Sequence, residues 1–258
     1  DLDKAICYAS KLNINTSITT NCSLLSKQKI IELSNVGLNH INLSLDSTEK
    51  KIHNYLRGNK NSYDHIINAI SNLGTQGKNI RLGINTIINE LNLHDLKNIS
   101  DFAKNTKRID QIYFIALEKP YNSNYNNDWR TNSPVSYLWP KDKKIINETF
   151  DLLISQKIKN KKIENSISQL QKYRSYYLNP ETSIKSKGCK FGYDHLLINP
   201  QKDIYFCTQR TDIDYIKNSK EIKIVELWNS KKAQNIRQKM ENCTQNCVQV
   251  LSCVYNDE

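Results

Sequence analysis

Short runs of β-branched and other apolar residues alternate with amphipathic stretches over the first 120 or so residues of the chain. Apolar positions recurring every three to four residues predict helices over 3–12, 27–34, 49–56, 63–76 and 93–104. The short apolar runs between them predict strands over 14–18, 41–45, 80–88 and 111–116. Strands that alternate with helices of this length form parallel βα units with right-handed crossovers, so the predicted class is α/β. In such folds the functional side chains sit at the C-terminal ends of the strands, where the loops open over the sheet. Thr19-Thr20-Asn21, Ser44-Leu45-Asp46, Asn85 and Glu118 lie at or just past a predicted strand end and are the first candidates.

The alternation stops at about residue 120. Residues 121–139 are rich in Asn, Ser, Tyr and Trp and predict a long loop or linker, followed by two polar helices within 141–176. From Cys189 onward the pattern changes to short strands over 195–199 and 204–206, a helix near 231–241 and a cysteine-dense end. The predicted organisation is therefore 1–120, a linker with helices over 121–187, and a small α+β domain over 188–258.

Composition adds limits more than it adds chemistry. With 258 residues, 38% hydrophobic and 24% charged, the chain is on the polar side of globular, but its apolar residues are regularly spaced, which predicts a folded protein. No apolar run approaches the ~20 residues a membrane span needs, and the start has neither a basic nor an apolar leader segment. A cytoplasmic location with no membrane partner is expected. The chain lacks an initiator Met and its first residues already read as mid-helix, which predicts that it begins inside a longer protein. A formal charge of +11 raises nucleic acid as a partner, but Lys and Arg are scattered along the whole length, so none is expected.

Of seven cysteines, Cys189, Cys207, Cys243, Cys247 and Cys253 fall in the last 70 residues. Cysteines that bunch in this way point to metal or redox chemistry. Cys189 and Cys207 flank a predicted strand, turn and strand, and a hairpin folds such positions back together. Cys243, Cys247 and Cys253 follow a helix at Cys-x3-Cys-x5-Cys spacing. Four thiolates suffice for a [4Fe–4S] cluster or a tetrahedral zinc, and spacing leaves both open, although the Cys-x2-Cys knuckles of zinc ribbons are absent.

Thr19-Thr20-Asn21-Cys22-Ser23-Leu24-Leu25 resembles the TNG-x-LL strand end of radical S-adenosylmethionine enzymes, and Leu43-Ser44-Leu45-Asp46-Ser47 resembles their SLD motif. Arg57-Gly58, Tyr63-Asp64, Asn85-Thr86 and Asn92 follow in the family's order. Asn199 to Cys207 resembles the auxiliary-cluster hairpin of the twitch (one extra cluster) and SPASM (two) modules, and Ile224 to Ser230 the segment after it. The resemblance leaves 121–187 outside.

It implies a partial (β/α)6 TIM-like barrel missing its first strands, plus a small auxiliary-cluster domain. It also implies S-adenosylmethionine as cofactor, cleaved by one electron to a 5′-deoxyadenosyl radical that abstracts hydrogen from a peptide, sugar or nucleotide-type substrate. A one-electron donor such as flavodoxin or ferredoxin is the implied partner. By resemblance, Ser44, Asp46, Thr20, Asn21 and Asn85 line the cofactor cleft, and Arg57 pairs with the cofactor carboxylate. A planar guanidinium suits that pairing. Each residue also has an ordinary use: Ser44 and Asp46 as helix caps, Thr20 and Asn21 as turn formers, Arg57 as a solvated surface group. His53, His65 and His94 read as ordinary helix residues, and Cys7 as a core residue.

Three departures matter. The Cys-x3-Cys-x2-Cys loop of the catalytic cluster does not occur, so the chain as numbered is expected not to bind that cluster. The final cysteines depart from the SPASM pattern, which favours one auxiliary [4Fe–4S] cluster held by Cys189, Cys207 and two of the last three. Cys22 and Lys202 stand where the family has Gly. The competing function is a zinc-stabilised basic binding module without catalysis.

Overall fold

The structure is a computed structural model that describes residues 1–120, 128–181, 189, 191–207, 215–216 and 223–243. Its described residues form two compact units, one within Asp1–Leu117 and 127–178, the other mainly within Asn179–Cys253.

In the first unit, α1 (Leu2–Lys11), β1 (Ser17–Thr20), α2 (Lys27–Asn35), β2 (His40–Ser44), α3 (Lys50–Leu56), α4 (Ser62–Gln76), β3 (Arg81–Ile88), α5 (Leu96–Asn105) and β4 (Gln111–Ala116) alternate as the periodicity requires. All three strand pairings are parallel, in the order β1-β2-β3-β4. The first strand starts three residues later than expected. Asn13 ends the helical segment with φ 55°, and the Thr16 N–H is taken by the Asn39 side chain at 2.8 Å, so pairing begins at Ser17 opposite His40.

The register sorts the side chains into two faces. One carries Ile41, Leu43, Leu82, Ile84, Ile112 and Phe114, all fully buried, and the helices α2, α4 and α5 bury Ile30, Leu33, Ile66, Leu73, Leu96 and Ile99. The other carries Ser17, Thr19, Asn42, Ser44, Gly83, Asn85, Gln111 and Tyr113. Across that polar face the Asn42 amide donates to Ser17 Oγ at 3.2 Å, and the Gln111 amide donates to Asn42 Oδ1 at 3.3 Å. Gly83 lies between them, where a Cβ would overlap both amides, so the absence of a side chain keeps this ladder intact.

The outer edge of β4 is closed by the chain between α6 (Lys143–Lys159) and α7 (Ile167–Leu178). Ile112 exchanges backbone hydrogen bonds with Lys162 and Glu164, and the Asn165 amide both donates to and accepts from the Phe114 backbone. Tyr177 then ties down the strand ends: its hydroxyl donates to Ile88 O and accepts from Leu117 N, both at 2.7 Å. Residues 128–139 contribute two buried tryptophans: Trp139 meets Tyr176 edge-to-face at 5.1 Å and lies tilted against Tyr177 at 5.0 Å, and Trp129 packs edge-on against Trp139. These aromatic residues are therefore core of the first unit.

The second unit holds α8 (Phe191–Asp194), the antiparallel pair β5 (Leu197–Ile198) and β6 (Ile204–Tyr205), α9 (Ile224–Asn229) and α10 (Lys231–Glu241). The strand expected over 195–199 shortens to two residues because His195 closes α8, donating its N–H to Phe191 O while its ring stacks on Phe191 at 4.1 Å. The hairpin turn is held by Asn199, whose carbonyl and side chain accept from Lys202 N and Asp203 N. Lys202 has φ 69° and Cys22 has φ 63°. Both positions where a glycine was expected thus demand the left-handed backbone, at ~1–2 kcal/mol for a residue with a Cβ. Ile204, Phe206, Ile216, Leu227, Ala233, Ile236 and Met240 form this unit's core. No helix among the described residues is long and apolar enough to cross a membrane.

Candidate functional site

The chain leaving β2 runs through Leu45, Asp46 and Ser47 into α3, and three sets of hydrogen bonds fix its course. Leu45 O accepts from Thr86 Oγ1 at 2.7 Å, and Asp46 O accepts from the Asn92 amide at 2.7 Å. The Asp46 N–H donates to His53 Nδ1 at 3.2 Å, so that nitrogen carries no proton and Nε2–H is left to donate to Ser62 Oγ at 3.1 Å. His53 is completely buried, and burial together with the nearby Arg57 charge pushes its pKa down to about 4. It therefore remains neutral, as the hydrogen bond from Asp46 requires.

The Asp46 carboxylate, 5% exposed, accepts from Ile87 N at 3.0 Å and pairs with Arg57 Nη2 at 2.7 Å. Burial pushes its pKa up from the usual carboxylate value, while Arg57 and the Ile87 N–H pull it back. Arg57 is the residue that ends α3, and its buried Nε has no partner.

Beneath this turn lies Asp95, fully buried, which accepts from Ser47 Oγ and Thr48 N at 2.6 Å, Thr48 Oγ1 at 2.7 Å and the Asn98 amide at 2.9 Å. Burial alone pushes its carboxyl up, but these donors outweigh it and the net shift is downward. Asp95 rather than Ser44 or Asp46 organises the entry to α3, whose N-terminal flanking residue is Glu49. Asp95→Ala is expected to cost ~2–4 kcal/mol at pH 7, because several donors lose a charged acceptor. A depressed carboxyl contributes stability above its unfolded pKa and loses it as pH falls through the folded value, so the acid limb should be shallower in the variant. Urea denaturation of both proteins between pH 7 and pH 3 measures this.

Of the residues expected at the cofactor cleft, the fold brings together Ser44, Asp46, Arg57 and Asn85. Ser44 and Asn85 are direct register partners on the polar face. Their side chains have no hydrogen-bond partner among the described residues, although Ser44 is only 9% exposed. Thr20 and Asn21 serve the turn into α2: Thr20 Oγ1 accepts from Cys22 N at 3.0 Å, and Asn21 Oδ1 accepts from Ser23 N and Oγ. By register it is Thr19 that shares the polar face with Asn42. Cys22 is buried, which pushes its thiol up to about 12.

In the second unit Cys189 and Cys207 both pack against the same apolar core, and the Cys243 N–H donates to Met240 O just past α10. Cys247 and Cys253 lie outside the described residues. Among the described residues no three His, Cys, Asp or Glu side chains come together in a metal-holding arrangement.

Sequence reasoning missed His53 and Asp95 as supports of the Asp46 turn. Nothing local distinguishes them, since the turn residues they hold lie 7 residues from His53 and 47 to 48 residues from Asp95. It also missed Arg237, for which there was a signal: an arginine on the apolar stripe made by Ala233, Ile236 and Met240.

Residues 1–103 match the Radical SAM superfamily, and residues 189–249 match SPASM, an iron-sulfur cluster-binding domain. Fe-coproporphyrin III synthase of Methanosarcina barkeri is 29% identical over 117 residues, 45% of this chain and 28% of that protein. PqqA peptide cyclase of Bradyrhizobium diazoefficiens is 25% identical over 99 residues, 38% of this chain and 26% of that protein. Among solved structures, Streptococcus suis SuiB bound to S-adenosylmethionine superimposes with a TM-score of 0.66 at 17% identity, covering 98% of this chain and 59% of that one; SuiB has also been solved with its precursor peptide SuiA. The chain thus spans about a quarter of the curated relatives and under two-thirds of SuiB.

Proposed function

We propose, for a chain that belongs to the radical S-adenosylmethionine superfamily in its SPASM/twitch-type subgroup, that the polar face of the β1–β4 sheet is one wall of an S-adenosylmethionine site in a peptide-modifying enzyme. The observation that carries this reading is the Ser44–Asn85 pair: the last residue of β2 and the residue facing it within β3, two polar side chains with no hydrogen-bond partner among the described residues, beside an Arg57–Asp46 ion pair. The residues suit the cofactor. Its carboxylate needs a cation, and Arg57 presents a guanidinium with an unused, buried Nε. Its hydroxyls and amino group need donors and acceptors, which Ser44, Asn85 and Asp46 provide. When bound and cleaved by one electron, the cofactor supplies hydrogen-atom abstraction.

The chain's own residues position and shield. Asp46 keeps Arg57 oriented, His53 fixes the Asp46 backbone, and Asp95 locks the turn that carries both. In the second unit, thiol sulfur is the donor chemistry that iron–sulfur clusters use, and Cys189, Cys207 and two of Cys243, Cys247 and Cys253 are the proposed ligands of one auxiliary [4Fe–4S] cluster. A peptide is the favoured substrate class because PqqA peptide cyclase and peptide-bound SuiB are among the neighbours. A flavodoxin or ferredoxin type of protein is the proposed electron donor.

Cofactor cleavage also needs a Cys-x3-Cys-x2-Cys loop, which these 258 residues do not contain. The test therefore uses a protein that carries such a segment ahead of Asp1, reconstituted without oxygen and reduced. It is expected to release 5′-deoxyadenosine, and no release above a control lacking the three added cysteines would count against the reading. In the same protein, Ser44→Ala combined with Asn85→Ala should weaken S-adenosylmethionine binding about a hundredfold by titration calorimetry, at ~1.4 kcal/mol per lost contact. A change within twofold would remove these residues from the site.

A further inference from the structure

Arg237 is a buried cation with no buried anion beside it among the described residues. Its side chain sits on the apolar stripe of α10 and is 5% exposed. Nε donates to Gly192 O at 2.9 Å and Nη1 to Trp228 O at 2.7 Å. The guanidinium lies over the rings of Trp228, Phe206 and Tyr193 at 4.2, 5.1 and 5.4 Å. Nη2 is buried with no partner, and among the described residues no carboxylate pairs with Arg237. A guanidinium is always charged, and burying it without a counter-charge carries a desolvation penalty that two carbonyls and three ring faces only partly offset.

Two of the residues that Arg237 touches lie within three positions of a cysteine, and its own helix leads to a third. Gly192 lies three residues after Cys189, Phe206 is directly followed by Cys207, and Cys243 lies just beyond the end of the same helix. Gly192 lets α10 pack closely here, since a Cβ there would overlap the Met240 sulfur while making only ordinary contact with the Arg237 stem. Four thiolates on a [4Fe–4S] core carry a net charge of about −2, and about −3 after one-electron reduction.

We infer that Arg237 is the counter-charge of the thiolate-bound centre in the second unit, and that it raises the centre's potential by favouring the reduced, more negative form. This rests on the reading that those cysteines hold an iron–sulfur cluster. Arg237 is the one buried lysine or arginine among the described residues of this unit, so the least solvent-screened part of the effect should be carried by this side chain.

The test compares wild type, Arg237→Lys and Arg237→Met, each reconstituted without oxygen and titrated with dithionite in the presence of redox mediators. Arg237→Met is expected to need about a tenfold larger driving ratio for half-reduction, a shift of about −59 mV for a one-electron couple. Arg237→Lys keeps the charge and should stay near wild type. Without metal, Arg237→Met should be as stable as wild type or more so, because it removes an uncompensated buried charge. An iron-loaded Arg237→Met protein with an unchanged potential would overturn the inference alone. So would a metal-free Arg237→Met protein that fails to fold, since the arginine would then be a structural member of its aromatic cage. A wild-type protein that takes up no iron would overturn the underlying reading and the inference with it.

Discussion

Arg57→Met is expected to destabilise the first unit by ~2–4 kcal/mol at neutral pH, with a penalty that shrinks as the pH falls. Removing one partner of a buried ion pair leaves the other charge uncompensated, typically at ~3–5 kcal/mol, and the lower figure applies here because Arg57 is 22% exposed while Asp46 is 5% exposed. The sign of the pH dependence follows from Asp46. Its carboxyl is already raised by burial, so the folded protein holds that proton to a higher pH than the unfolded chain does, and this group's contribution to stability falls as the pH rises through its folded value. Without Arg57 the downward pull on the carboxyl is lost and the window moves upward. Urea denaturation of both proteins from pH 8 to pH 5 should therefore show the two stabilities converging toward the acid side. Parallel curves would mean that the pair contributes no electrostatic support to the turn. Arg57→Met with Asp46→Asn should recover part of the loss, since the stranded charge is gone.

Cys207→Ala is expected to reduce iron uptake by the second unit to background, the largest single effect on metal content. Cys207 lies two residues past the end of β6 and packs on the core that includes Ile204, Phe206 and Ile236. Alanine keeps most of that small apolar volume, so the metal-free variant should melt close to wild type while the loaded one loses the stabilisation that a bound cluster adds to the folded state. Cys7→Ala is the matching control, because Cys7 lies half-buried on α1 in the other unit, and it should leave iron content unchanged. Equal loss of iron in both variants would indicate adventitious binding to thiols.

The parallel sheet was legible because its signal is local. Ile41 to Leu45 and Gln111 to Ala116 are short apolar runs bounded by amphipathic helices, and both appear as strands within a residue of the expected bounds. The shifts arise where a side chain competes for backbone groups, as Asn39 does for Thr16 and His195 does at the end of α8. Cys22 and Lys202 stood out in the sequence for replacing glycines, and the left-handed backbone at both explains why glycine was expected there.

The site was legible only in part. The family motifs pick out Ser44, Asp46, Arg57 and Asn85, but they do not reveal that Arg57 is already paired with Asp46, nor that Thr20 and Asn21 spend their side chains on a turn. Asp95, His53 and Arg237 act through partners distant in the chain, and only folding makes those neighbours visible. Residues 128–139, which have no motif, supply Trp129 and Trp139 to the core beside Tyr176 and Tyr177.

Metal analysis of the 258-residue protein, purified and reconstituted without oxygen, tests the central claim most directly. The chain has no catalytic three-cysteine loop, so any cluster it holds must be built on the five cysteines from Cys189 onward. About four irons and a matching amount of acid-labile sulfide per chain are predicted. About one zinc per chain without sulfide would contradict the account and make those thiols a structural zinc site.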